Sequence, residues 1–187
     1  VERYWKYLHS RSVYENRIMK VREDAYHFSR GDIVQDFTVL EFPGWVNIIP
    51  VTAEGEVVMI RQYRHGVRRV TLEIPGGLIS GADTDPAEAA VREMEEETGF
   101  VSSDVVHIGT VEPNPAIQSN LCHSFLARNA RPGSSQNLDP TEAIAVELVK
   151  LEEAYRMLRD GRITHGLVVA AFAFLMLHEG FNRIERS

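Results

Sequence analysis

Five charged side chains, Arg92, Glu93, Glu95, Glu96 and Glu97, crowd into six residues, and Gly99 follows. Glu93, Glu96 and Glu97 stand at i, i+3 and i+4, a spacing that brings carboxylates together on one side of a helix. Carboxylates so close raise one another's pKa, so all three stay ionised only if a cation compensates them. A hard divalent ion with oxygen ligands answers that need, and Mg²⁺ is the usual choice where phosphates also bind, with Mn²⁺ as its alternate. Arg92 can orient Glu96 through a charge-assisted hydrogen bond. Taken alone, the same glutamates also fit a solvated acidic face.

The helix that must carry them is marked at both ends. Asp85 suits the N-cap, Pro86 the first helical position, and Glu88 the third position of a capping box. Gly99 supplies the left-handed residue on which helices end. The spacing predicts a helix over 86–98, with Ala87, Val91, Met94 and Thr98 on the stripe that packs on a core. Ahead of it runs Glu73-Ile74-Pro75-Gly76-Gly77, where paired glycines let backbone approach a ligand or offer it carbonyls.

Together these residues resemble the Nudix hydrolases. Their box reads Gly, five residues, Glu, seven residues, Arg-Glu, apolar, any, Glu-Glu, any, Gly, apolar. Arg92, Glu93, Met94, Glu96, Glu97, Gly99 and Phe100 match every fixed position of its second half. The first half departs. Gly77 to Arg92 is one residue longer than the pattern, and the first Glu is missing, with Asp83 or Thr84 nearest its place. In the family that Glu anchors the loop, so the resemblance implies a shifted turn beside an intact metal site. Arg61-Gln62-Tyr63-Arg64 leading into Glu73–Gly77 is similar to the ADP-ribose and sugar-nucleotide branch, as is a proline at Pro115. The Pro-Ser-Pro-Gly run often found there is absent, which leaves the substrate open.

The resemblance implies a fold and a site. The fold is an α/β/α sandwich on a mixed sheet, with residues 41–187 as the hydrolase domain and 1–40 as an N-terminal β extension that helps build a homodimer. Glu93, Glu96 and Glu97 would hold the metal with a carbonyl of Gly76 or Gly77. Glu142, or second Asp139, would act as general base or metal ligand. Arg61 and Arg64 are candidate phosphate contacts, since a guanidinium fork matches phosphate oxygens. Glu73, Trp45 and Pro115 complete the substrate side, with Trp45 able to stack on a base or to serve the core. The expected reaction splits the pyrophosphate of ADP-ribose or another nucleoside-diphosphate sugar. Rival readings are a different nucleoside-diphosphate derivative, such as NADH or a dinucleoside polyphosphate, and a non-catalytic nucleotide-binding module.

Composition sets outer bounds. A chain of 187 residues can bury a sizeable core. A net charge of −7 argues against a non-specific nucleic-acid surface. Cys122 is the only cysteine, which excludes an internal disulfide and suits a reducing cytoplasm; a buried thiol is the expectation for it. The chain opens without Met and without a legible signal peptide. The apolar run 166–177 is too short to cross a bilayer, so no membrane partner is expected.

Patterning places the remaining elements. Alternation over 14–21 suggests a strand. Apolar runs on either side of Glu54-Gly55-Glu56 predict a hairpin joining 45–51 to 57–60. Strands are expected over 105–111, 121–127 and 142–149, and His123 in the second is expected to be packed or hydrogen-bonded. Residues 128–141, rich in Gly, Pro, Ser and Asn, read as a mobile loop. Helices are expected over 152–160 and 165–179, the second stopped by Gly180.

Overall fold

The computed structural model describes residues 1–81, 83 and 85–184, with side chains as far as residue 180. The chain divides into two compact units, 1–44 with 112–121, and 45–111 with the remainder from 122.

The first unit is an antiparallel sheet of β1 (Trp5–Glu15), β2 (Lys20–Phe28) and β3 (Ile33–Glu41), in that order. The strand expected over 14–21 is broken at 16–19 by the turn between β1 and β2, and its two ends pair with each other. Asn16 Oδ1 accepts the Ile18 and Met19 N–H groups, both at 2.9 Å. That side-chain turn reverses the chain where alternation alone reads straight on. The loop Glu112–Leu121 is tied to β3, with the Leu40 N–H donating to Ile117 O at 2.7 Å. Every residue of β1 is exposed.

In the second unit β4 (Trp45–Pro50) is buried from Val46 onward, on both faces, as a central strand must be. It lies between β7 (Gly76–Leu78), antiparallel, and β10 (Cys122–Arg128), parallel, with β9 (Asp104–Val111) outermost. The expected hairpin is therefore absent. β4 and β5 (Glu56–Arg64) share one bridge, Val51 with Val57, and then part, because both edges of β4 are taken. β5 instead sits between β6 (Arg69–Glu73) and β12 (Ile144–Lys150) in a three-stranded antiparallel sheet.

Helices cover both faces of the mixed sheet, the α/β/α arrangement. α1 (Pro86–Thr98) packs Ala89, Ala90 and Met94 on Val46, Ile48, Phe125 and Ala127. The alternate residues Ile49 and Leu126 face α3 (Gly166–Ile184) through Val168, Ala171, Phe172 and Leu175. α2 (Leu151–Arg159) adds Ala154 and Met157 to the same core, against Val57, Met59 and Leu72. Truncating Phe172 or Leu175 to Ala would cost roughly 3 kcal/mol. α3 runs through Gly180 instead of stopping there. The glycines with left-handed backbone are Gly55, Gly99 and Gly161, so Gly180 offers no helix-ending conformation. No helix among the described residues is long and apolar enough to cross a membrane.

Candidate active site

α1 begins and ends as its sequence dictates. Asp85 Oδ1 accepts the Ala87 and Glu88 N–H groups at 2.6 and 3.0 Å, and Gly99 closes the helix at φ 71°. Its buried residues are Ala89, Ala90, Met94, Glu97 and Thr98. The inward stripe is thus rotated from the one expected, with Val91 facing an outer groove. The consequence is chemical. Glu97 points into the protein at 4% exposure, whereas Glu93 and Glu96 have side chains 15% and 37% exposed.

One arginine organises the exposed half of the cluster. Arg92 Nη1 donates to Glu93 Oε1 and Glu96 Oε2, both at 2.9 Å. Its other edge grips Asp83 through Nε and Nη2, both at 3.1 Å, and Nη2 also reaches Leu78 O. Asp83 in turn accepts the Ser80 N–H at 2.7 Å. The Arg92 hydrogen bonds hold the Asp83 carboxyl well below its usual range. Of the two candidates for the missing anchor, Asp83 thus ties the lengthened loop to the helix; Thr84 lies outside the described residues.

Glu97 has a different environment. The Gly76 N–H donates to its Oε2 at 2.9 Å. Burial, helped by the charges of Glu93 and Glu142, overcomes that bond and pushes its pKa up to about 8. Burial raises Glu93 as well. A Cβ on Gly77 would meet the movable end of Glu93, but one on Gly76 would lie 2.4 Å from the backbone Val46 O, so only glycine fits at 76. Arg92 takes up one oxygen each of Glu93 and Glu96 and the Gly76 N–H one of Glu97, and among the described residues no three acidic, His or Cys side chains already converge as a metal cage.

Beyond Gly76 opens a cleft of about 310 Å³. Its walls include Trp45, Asn47, Arg64, Glu73, Gly77 and His165. Arg64 does not offer a free fork there. It grips Glu73 through Nε at 2.8 Å and Nη2 at 2.6 Å, and Thr71 Oγ1 adds a third bond at 2.5 Å. Although burial opposes it, this set holds the Glu73 pKa below its usual value. Arg61, expected beside Arg64, projects from the opposite face of β5 and pairs with Glu147 on β12 at 2.6 Å. Pro115 lies in the 112–121 loop of the first unit.

Glu142 is exposed, just ahead of β12, with its Oε2 accepting the Asp139 N–H at 3.1 Å. Its charge is felt at Glu97, Glu93 and Arg64. The loop before it is tied down along its length. β11 (Arg131–Pro132) pairs with β8 (Phe100–Val101), the Asn137 N–H donates to Glu96 O at 2.9 Å, and Gln136 Nε2 to Glu97 O at 2.6 Å. Composition marked this stretch as free because its partners lie some forty residues away in sequence. Gln136, Asn47, Thr71 and His165 carry no local pattern that would single them out. His165 merely opens an apolar helix, yet its Nε2 lies 3.9 Å from Glu73 Oε2. Cys122 is fully buried and its thiol is pushed up to about 12, which leaves no nucleophile. His123 shares Thr110 Oγ1 with His107, both contacts at 2.9 Å.

Comparison with known proteins places the fold in a family. Residues 43–172 match the NUDIX domain. The ADP-ribose pyrophosphatase of Bacillus subtilis is 30% identical over 142 residues, covering 75% of this chain and 76% of its own. The methanol dehydrogenase activator of Bacillus methanolicus is 26% identical over 175 residues, 93% of this chain and 94% of that one. A crystal structure of an ADP compounds hydrolase shares the fold at a TM-score of 0.80 and 22% identity, covering 98% of this chain and 97% of that chain. The chain belongs to the NUDIX family.

Proposed function

We propose that this protein hydrolyses the pyrophosphate bond of ADP-ribose or a related nucleoside-diphosphate sugar, releasing a nucleoside monophosphate and a sugar phosphate. The observation that carries the reading is the buried Glu97, bonded to Gly76 at the mouth of the cleft, with Glu93 and Glu96 held beside it by Arg92. The resemblance to ADP-ribose pyrophosphatases from Bacillus subtilis and Mycobacterium tuberculosis supports the substrate class.

The donor set fits a hard divalent ion. A desolvated carboxylate pushed up to about 8, with further carboxylates nearby and one hydrogen-bond donor, is short of positive charge. Glu93, Glu96, Glu97 and the Gly76 carbonyl are the proposed ligands for Mg²⁺, or Mn²⁺ in its place. Bound there, the metal supplies charge neutralisation for the pyrophosphate and a more acidic water. Arg92 orients Glu93 and Glu96, and Asp83 holds Arg92. The Arg64–Glu73 pair stiffens the cleft wall, along which Trp45 offers an aromatic face to the base or sugar. A carboxylate oxygen of Glu142 is the proposed acceptor for the proton of the attacking water.

The exposed β1 and the apolar side chains of Trp5, Tyr7, Val13, Tyr14 and Phe37 support pairing of the first unit with a second copy. Light scattering on a sizing column checks this, and a monomer at micromolar concentration would remove it. The single cysteine supports a cytoplasmic setting, and the acidic charge a protein without nucleic-acid partners. The function is tested with Mg²⁺ and a panel of ADP-ribose, GDP-mannose, UDP-glucose, NADH and a dinucleoside polyphosphate, scoring released monophosphate. Turnover of a sugar nucleotide above the others is expected. Tight binding without turnover of any member would replace the hydrolase with a nucleotide-binding module.

A further inference from the structure

A helix leaves its last carbonyls without partners, and something must donate to them. At the end of α1 the Gly99 N–H serves Glu95 O at 2.8 Å, and the further donors come from residues 133–137. The Asn137 N–H serves Glu96 O at 2.9 Å, and the Gly133 and Ser134 N–H groups serve Gly99 O at 2.9 and 3.0 Å. Glu97 O is served by a side chain, Gln136 Nε2, at 2.6 Å. The same nitrogen also donates to Ile144 O, at the first residue of β12, at 3.2 Å. A primary amide carries two hydrogens there, so both bonds form together, and two carbonyl acceptors decide which end of the amide faces them.

One carboxamide therefore pins the backbone of Glu97 to the start of β12. Between the pinned points hangs the Asp139–Glu142 turn. It closes on itself through the Glu142 N–H to Asp139 O at 2.9 Å and the Asp139 N–H to Glu142 Oε2 at 3.1 Å. A segment rich in Gly, Ser, Asn and Pro gains much conformational freedom when released, so it stays ordered only where specific bonds hold it.

We propose that Gln136 is a positioning residue, whose bridge between Glu97 O and Ile144 O holds the Glu142 turn against the acidic cluster in the geometry that turnover requires. This rests on the hydrolase reading. Gln136 acts through Glu142 and donates no group to the reaction. Gln136→Met keeps the length of the side chain and removes both donors.

The test joins hydrogen–deuterium exchange to kinetics on wild type, Gln136→Met, Glu142→Gln and the double variant, with Mg²⁺ and the best substrate of the panel. Gln136→Met is expected to speed exchange over residues 134–142, with β4 and α3 unchanged. Its kcat should fall about 10- to 100-fold, the scale of a misplaced group, with KM within about twofold of wild type. The double variant should turn over no more slowly than the slower single variant, because both changes disable one device. Unchanged exchange over 134–142, a wild-type kcat, or losses that multiply in the double variant would each overturn the proposal. If wild type turns over no member of the panel, the hydrolase reading itself fails. The exchange pattern then still decides whether the bridge holds the loop.

Discussion

Glu73 and Glu97 stand on either side of the Pro75-Gly76 turn, and both are buried, at 2% and 4% exposure. Their acidities move in opposite directions. Glu73 has the Arg64 fork and the Thr71 hydroxyl, and its pKa is held down. Glu97 has one backbone N–H and two acidic neighbours, and its pKa is pushed up to about 8. Burial is common to both, so burial does not distinguish a structural carboxylate from a functional one. Compensation does. Glu73, with its counter-charge bonded to it, serves the architecture, while Glu97, which lacks a bonded counter-charge, is the one proposed as a metal ligand.

The sharpest break of this comparison exchanges each glutamate for its neutral isostere. Glu97→Gln should lower kcat about 10³-fold or more, the scale expected when a ligand of catalytic metal is lost. Mg²⁺ should raise the Tm of wild type and not that of the variant, as differential scanning fluorimetry would show. A variant of full activity defeats the ligand assignment. Glu73→Gln should do the reverse, costing stability before chemistry. It leaves Arg64 without its partner, and the loss should be roughly 2–3 kcal/mol, below a fully buried pair because the Arg64 side chain is 38% exposed.

The pH dependence of that loss follows from its sign. The folded pKa of Glu73 lies below the ordinary value of 4.5. Its stabilisation is therefore complete above that pH and disappears as pH falls through the folded value. Urea titrations between pH 7 and 3 should show the gap between wild type and Glu73→Gln closing at the acid end. A constant gap would mean the pair contributes nothing through charge.

Smaller effects refine the picture. Asp83→Asn keeps the side chain's shape but weakens its charge-assisted grip on Arg92, and kcat/KM should fall about 10-fold. A wild-type value would show that the loop needs no such anchor. Arg61→Ala should change stability by less than about 1 kcal/mol and leave kcat unaltered, since its partner Glu147 is a surface carboxylate on the far face of the sheet. A large kinetic loss there would put the cleft on the wrong side of β5.

Local physics made much of this legible. The caps Asp85 and Gly99 bound α1 at Pro86 and Thr98 as read, because both signals act within one turn of the helix they end. The carboxylate spacing placed Glu93, Glu96 and Glu97 on one helix, which lies within the residues 43–172 that match the NUDIX domain. What escaped depends on distant partners. The turn at Asn16 overrode alternation, β7 and β10 claimed both edges of β4 and dissolved a hairpin, and Gly180 stayed helical.

From its residues alone the chain settled that a capped helix would carry three glutamates beside a glycine turn, since those signals span a few bonds. Only the tertiary structure decided which glutamate turned inward and which has no cationic side chain bonded to it. That depends on how α1 rotates against β4 and β10, on where the Arg64 and Arg92 forks are already engaged, and on a loop some forty residues away that caps the helix. Desolvation and pairing are properties of the packed neighbourhood, and no local stretch of sequence contains them.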